Sequence, residues 1–561
     1  MNAAVLSVIG LTMIFLGYRF YSKFIAEKIY QLDPDFVTPA HAQRDDIDYL
    51  PTNRVVLWGH HFTAVAGAAP IIGPGIAVIW GWLPAFLWVV VGTMFFAGVH
   101  DFGAVWASVR NKAKSVGSLT GDVVSPRART LFMVVVFFLL MMVNAVFGVA
   151  ISDAFQETPS SVIPAWTAVI VALIIGVLIY RMHVPILWPT IVGTVVLYAV
   201  IYLGEAVPIS LSAGSFGLPV GAQWILILFL YAGIASLLPV WLLLQPRDYI
   251  NGIQLFVGLG LLYGAVLIAN PTIVAPAINP DLPASAPPMF PLLFVTIACG
   301  AISGFHGLVG SGTTSKQLNK ETDARFVGYL GSSGEGALAL VAIIAATAGF
   351  ASLAEWRLMY SEFGNGGMAA FVQGGSRVVA AGVGISEQFA ATLLTVMAVL
   401  FAGTTMDAGV RLQRYIVQEW GTIYRIPVLQ NGYVATGVAV TACLLLAFGA
   451  GGASGEGGML IWPLFGTTNQ LLAGLTLMVI SVMLVKLGRP VRYTLIPMVF
   501  ITVAALGAAL VQLMTLYREG GILYPLLWID VAIVLLAILV MLEASSAFLR
   551  ERRAAAAGAA A

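Results

Sequence analysis

Apolar residues along this chain come in long runs, each near 20 residues, separated by short polar loops. Twenty apolar residues in a helix match the thickness of a bilayer core. Reading on that rule gives about fifteen spans. They lie near 3–21, 62–80, 83–107, 130–151, 162–180, 185–204, 223–244, 252–269, 291–310, 327–350, 386–405, 431–450, 458–484, 493–514 and 523–548. The pattern predicts an all-α polytopic membrane protein. Two of the runs contain helix breakers. "AAPIIGPGIAVIWGWLP" (Ala68–Pro84) carries Pro70, Gly73, Pro74 and Gly75; "LYAGIASLLPVWLLLQPRDYI" (Leu230–Ile250) carries Gly233, Ser236 and Pro239. Proline removes a backbone donor and glycine makes departure from helix cheap. Freed backbone groups survive in hydrocarbon only where they line a cavity or pack on protein. Both runs are therefore expected to be discontinuous helices facing a polar site. The breaks are about 160 residues apart. Five spans start at each, and an odd number inverts the second copy, as in two five-span inverted repeats.

Composition agrees with this reading. The 561 residues are 60% hydrophobic and 9% charged, with a net charge of +1, which gives no basic surface for nucleic acid. Charge placement gives direction. With the N-terminus outside, 24 of the 27 Lys and Arg residues fall on the cytoplasmic side, and only Arg357, Arg377 and Arg518 outside. The C-terminus is then cytoplasmic. The first run lacks a basic leader and a cleavage site, and reads as a retained span. The two cysteines, Cys299 and Cys443, sit in apolar stretches and read as inert buried thiols, with no disulfide framework and no metal-ligand spacing. No cofactor motif is visible. Residues 1–61 read as a first span and cytoplasmic loop, 62–405 as the transport core (62–204 and 223–405), and 406–561 as accessory helices.

Candidate chemistry lies mostly in "SGFHGLVGSGTTSKQLNKETDARFVGY" (Ser303–Tyr329). Its Ser303, Ser311, Thr313 and Thr314 offer hydroxyls to an ion, or cap helices. It is not a phosphate loop, because Thr313 stands where the lysine belongs. His306 reads either as a carbonyl-bonded histidine or as a titrating group. Glu335 stands about 15 Å up the next helix, where a carboxylate is costly and hence a candidate for function. "GHHF" (Gly59–Phe62) and "VHDF" (Val99–Phe102) read as interface histidines. Asp407 and Arg411, four apart, read as a structural ion pair. Asn144 and the Asn469–Gln470 pair either bind helices together or line a path. The two half-helix starts are expected to aim backbone N–H groups at a substrate carboxylate. Ala69, Pro70, Gly73 and Gly75 from the first break, Gly233 and Ser236 from the second, and Asn144 are the substrate-binding candidates.

The stretches "GHHFTAVAGAAPIIGPGIAVIWGWLPAFLWVVVGTMFFAGVHDF", "SGFHGLVGSGTTSKQLNKETDARFVGY", "TTMDAGVRLQRYIVQEW" and "WPLFGTTNQLLAG" resemble the carbon starvation protein A family of bacteria. The resemblance covers nearly the whole membrane chain. It implies an inner-membrane carrier for peptides or pyruvate, proton-coupled in some members. It also implies the five-plus-five core of the amino acid–polyamine–organocation transporters, typified by the bacterial leucine transporter. In that core a cation site lies between the first and eighth helices, and the eighth, counted here, carries His306. The expected function is secondary uptake of a small carboxylate-bearing nutrient with protons. His306 and Glu335 carry the coupling, with Ser303, Ser311, Thr313 and Thr314 beside them. A membrane-embedded nutrient sensor and a sodium-coupled amino acid carrier are the alternatives. An enzyme is not expected.

Overall fold

The structure is a computed structural model. It describes residues 1–45, 48–214, 217–451 and 458–560, with the side chains of 450, 451, 458–460, 519, 523 and 554–560 set aside. Thirteen continuous helices among the described residues are long and apolar enough to cross a membrane. They are α1 (Ala3–Ile29), α4 (Trp82–Arg110), α5 (Pro126–Glu157), α6 (Pro159–Tyr180), α7 (Leu187–Gly204), α8 (Val220–Leu237), α9 (Leu244–Ala269), α12 (Arg325–Ala348), α15 (Glu387–Ile423), α16 (Gly432–Gly449), α17 (Ile461–Lys486), α18 (Arg492–Arg518) and α19 (Pro525–Arg553). A bent pair, α2 (Arg54–Val65) and α3 (Ala69–Trp80), meets at 50° and accounts for a fourteenth. The run expected near 291–310 is two short helices, α10 (Met289–Thr296) and α11. The latter starts as Gly304–Val309 and continues through Gly310–Thr314 to Ser315–Gln317. Each expected span thus has a counterpart. Several helices extend beyond their apolar runs, because long charged side chains let a helix continue into the interface. As a result residues 61 and 62 lie in one helix, as do 405 and 406.

The first break differs in place from the expected one. Helix is lost at Ala66–Ala68, and Pro70 sits in the first turn of α3, where a missing N–H costs nothing. The second expected break is absent. The α8 helix runs unbroken through Gly233 and Ser236, and Pro239 only ends it by holding Leu238 extended. The other discontinuity among the described residues of the core is Ile297–Ser303, between α10 and α11, which contains no proline. Gly300 makes it possible, with φ at +92°, which a side-chain-bearing residue rarely adopts.

Side chains satisfy the carbonyls freed there. Trp462 Nε1 donates to Thr296 O at 3.2 Å, Trp88 Nε1 to Ile297 O at 3.0 Å, and Thr93 Oγ1 to Gly300 O at 3.1 Å. This is why unwound backbone is tolerated at depth. The two breaks adjoin. A Cβ on Gly73 would strike the Thr296 carbonyl, and one on Gly300 would lie 3.6 Å from Pro70 Cβ. Backbone-to-backbone approach of this kind needs glycine.

The best apolar stretch of α17 is wholly buried, and those of α5, α12 and α15 nearly so; these helices form the middle of the bundle. Large apolar side chains left exposed on α1, α7, α9, α18 and α19 face outward, as lipid contact requires. Residues 351–385, between the expected spans 327–350 and 386–405, contain α13 (Leu353–Met359) and α14 (Gly367–Val383). The α14 helix packs on α3, with Tyr360 donating to Gly75 O at 2.6 Å.

Candidate functional site

His306 is the third residue of α11, immediately after the second break, and is fully buried. Its Nδ1 lies 2.8 Å from Asp101 Oδ2, and its Nε2 lies 3.2 Å from Glu335 Oε1. Asp101, on α4, also accepts from His100 Nδ1 at 2.7 Å through its other oxygen. All four side chains are 0% exposed. The proton count follows from donor chemistry. A carboxylate only accepts, so both histidines present N–H to Asp101. His306 Nε2 then faces Glu335 with room for one proton between them. That proton sits on the imidazole, giving an ion pair, or on the carboxyl, giving a neutral pair. The Glu335 contact is close without being aligned as a hydrogen bond, and neither Glu335 oxygen nor His306 Nε2 has a hydrogen-bond partner.

Two local irregularities aim side chains at this place. A π turn at Thr93–Ala97 opens with Thr93, which holds the Gly300 carbonyl. Another at Gly310–Thr314 ends with Thr314, 2.8 Å from His61 Nδ1. Single π turns inside helices are frequent at functional sites. On the far side, Asn469 of α17 accepts from Phe305 N at 3.0 Å and donates to Ser303 Oγ at 3.0 Å and to Cys299 Sγ at 3.4 Å.

Of the expected coupling residues, Ser303, His306 and Glu335 belong to this network, and Thr314 bonds only His61. Ser311 donates to Gly307 O at 2.6 Å and accepts from Val116 N at 3.0 Å, which ties α11 to the short helix Val116–Val123. Thr313 bonds only its own helix, at Val309 O. Among the substrate candidates, Ala69 and Pro70 open α3 at the first break, and Gly73 lies against the second. Gly75 is covered by Gly367 backbone. Gly233 and Ser236 lie on α8 facing α16, where Ser236 bonds Gly233 O at 2.8 Å and nears Thr436 at 3.4 Å. Asn144 reaches Gln413 at 3.5 Å. Asp101, His100, His61 and Cys299 were not foreseen as members of the site. Asp101 could have been found by the rule that singled out Glu335, since it stands nine residues before Arg110 in an apolar helix.

A second buried charged group lies elsewhere. Asp407 of α15 pairs with Arg247 of α9 and accepts from Tyr231 at 2.8 Å. Arg411 does not take the direct contact with Asp407 expected from their spacing. It donates to Ala235 O at 2.8 Å and Leu238 O at 2.7 Å, capping the last turn of α8. Tertiary partners outcompete a helical i,i+4 pair, which contributes only a few tenths of a kcal/mol, about 0.2–0.5. Beside α3 lies a cavity of about 660 Å³, lined among others by Ile72, Asp153, Glu157, Glu355, Asn365 and Gln373. Glu355, outside the spans, is held below the usual carboxylate range by the Ala351 N–H and then by the Arg377 guanidinium.

The family described as carbon starvation protein CstA matches residues 2–354 and 351–508. A Campylobacter jejuni protein named peptide transporter CstA is 31% identical, over 93% of this chain and 81% of its own length. The Bacillus subtilis protein of the same name is 32% identical, over 90% of this chain and 89% of its own. The Escherichia coli pyruvate/proton symporter BtsT is 30% identical, over 89% and 80%. Among solved structures, an Eremococcus coleocola manganese transporter is 12% identical, with a TM-score of 0.47 over 91% of this chain and 99% of its own. On the family match and these relatives, the chain belongs to the carbon starvation protein CstA family.

Proposed function

We propose that the protein is a secondary transporter, not an enzyme, that imports a small carboxylate-bearing nutrient across the bacterial inner membrane together with protons. The observation that carries the coupling is the buried Asp101–His306–Glu335 chain, with its single transferable proton, at the junction of two broken helices. The names of the relatives, peptide transporter and pyruvate/proton symporter, support the substrate class and the coupling ion. Peptides and pyruvate share a carboxylate. The start of α3 at Ala69 and Pro70 offers the positive end of a helix dipole to it, beside Gly73. Gly75 supports that site by letting α14 pack on α3, whereas Gly233 and Ser236 pack α8 against α16 and Asn144 reaches Gln413. Ser303 holds the start of the helix that carries His306, while Ser311, Thr313 and Thr314 secure α11.

The transport core runs from 62 to 405, with 1–61 and 406–561 as flanking elements. Repeat one, about 62–204, opens on the α2–α3 break, and repeat two, about 223–405, contains the α10–α11 break. Seven spans start from α2–α3 up to α9, an odd number, so the two broken segments run in opposite directions. The charge asymmetry supports an outside N-terminus and a cytoplasmic C-terminus. Terminal tags probed with impermeant reagents in intact cells test this. A protected N-terminus or an accessible C-terminus overturns it.

The function is tested in proteoliposomes with labelled pyruvate, dipeptides and amino acids, with and without an imposed pH gradient. Gradient-driven accumulation of one of these is expected. His306→Ala and Glu335→Gln should impair accumulation more than exchange of substrate across the membrane. Full accumulation by both variants removes these residues from the mechanism, and strict sodium dependence of the unmodified protein overturns proton coupling.

A further inference from the structure

His306, Glu335 and Cys299 each offer one donor atom, and the three atoms lie within 4.8 Å of one another, all in buried side chains. Nitrogen, carboxylate oxygen and sulfur form the donor set that zinc-class ions take, usually with a fourth position for water. The surroundings match a metal site beyond the three donors. A metal-ligating histidine almost always gives its other ring N–H to a carboxylate, which fixes the ring and leaves the free nitrogen aimed at the ion. His306 does this with Asp101, at 2.8 Å, and Asp101 is braced in turn by His100. Cys299 Sγ is oriented by Asn469 Nδ2 at 3.4 Å and Ser303 Oγ at 3.3 Å. The atoms facing the centre, His306 Nε2 and both Glu335 oxygens, have no hydrogen-bond partner although they are buried. Such groups are costly to leave unpaired. The His306–Glu335 separation of 3.2 Å is already close to the edge of a tetrahedron with bonds of about 2.0–2.1 Å.

We propose that Cys299, His306 and Glu335 form a binding site for a soft divalent transition-metal ion, with zinc as the best-fitting probe, and that the bound ion arrests transport. The arrest rests on the function proposed above, because the ion joins the unwound Ile297–Ser303 segment to α12, two elements that must separate or shift for access to alternate around the break. Binding itself does not rest on it.

The test uses the purified full-length protein in detergent, dialysed free of metal, with zinc titrated against a chromophoric chelator. One ion per chain is expected, at micromolar affinity or tighter. Magnesium and calcium, which prefer all-oxygen ligands, should not displace it. Cys299→Ser and Glu335→Gln should each weaken binding at least tenfold. Asp101→Asn should weaken it about 10–100-fold by releasing the imidazole. Size-exclusion elution identifies any variant that fails to fold, and Cys299→Ser, a near-isosteric change, then decides alone. In proteoliposomes, zinc inhibition is read for each protein relative to its own uptake with chelator present. Cys299→Ser should shift the inhibitory concentration upward at least tenfold. Absence of stoichiometric zinc binding in the unmodified protein overturns the proposal, as does unchanged affinity in Cys299→Ser. Zinc binding without proton-dependent uptake leaves the site standing and refutes the function. Proton-dependent uptake without zinc binding does the reverse.

Discussion

Gly75 is the point at which α14 closes on the second half of the first broken helix. A Cβ placed there would lie 3.0 Å from Gly367 C and 3.1 Å from its Cα, and closer still to the Gly367 carbonyl oxygen. The contact is backbone on backbone, so no rotamer change can relieve it. Ordinary carbon–oxygen contact needs about 3.3–3.6 Å, so Gly75→Ala must drive α14 away from α3 by about 1 Å. That movement lengthens the Tyr360–Gly75 hydrogen bond of 2.6 Å. Overpacking of this kind costs about 1–3 kcal/mol. At 1.4 kcal/mol per decade, the closed arrangement loses about 5–150-fold in population relative to an open one. The assay is the maleimide labelling rate of a cysteine placed at Ala369, which lines the cavity beside α14. The background carries Cys299→Ser and Cys443→Ser, and labelling is done on detergent-purified protein so that no assumption about sidedness enters. Gly75→Ala should raise the rate at least fivefold and lower uptake in parallel. An unchanged rate with unchanged uptake would refute the argument that this glycine pair sets closure.

Asp407→Ala should leave Arg247 buried without its carboxylate, a loss on the order of 3–5 kcal/mol, seen as a lower melting temperature of the purified protein. The double change with Arg247→Leu should recover most of it; a double variant as unstable as both single losses added would show that the two side chains are not energetically coupled and refute the pairing argument. Glu355 is held below its usual range in the folded protein, so the stability it gives to the α13–α14 clamp is present at neutral pH and is lost as pH falls through that lowered value. The ratio of the Ala369 labelling rate in Glu355→Gln to that in the same background with Glu355 intact, read at matched pH so that the loss of thiolate in acid cancels, should exceed one at neutral pH and fall towards one in acid below the ordinary glutamate range. A ratio of one at neutral pH would refute the role of Glu355 in the clamp.

The apolar runs alone determined the number and order of the membrane elements. A 20-residue apolar stretch has one stable arrangement in hydrocarbon, a helix with its backbone bonds closed. Breakers determined less. Proline near 70 signalled a real discontinuity but belongs to the helix that follows it, and proline at 239 only ends a helix. The break between α10 and α11 rests on Gly300 and on Trp88, Trp462 and Thr93, which reach it from other helices; no local pattern encodes those partners. Glu335 and His306 were legible singly, because an ionisable residue in an apolar run needs a partner. Which partner was not legible. Asp101 lies 205 residues from His306 in sequence. Cys299, which reads as inert among apolar neighbours, becomes a potential ligand only when α12 brings Glu335 to the same point. Local sequence sets where a helix can form and where it can stop. The convergence of thiol, imidazole and carboxylate is decided by which helices pack together, and that depends on glycine contacts and hydrogen bonds between segments hundreds of residues apart.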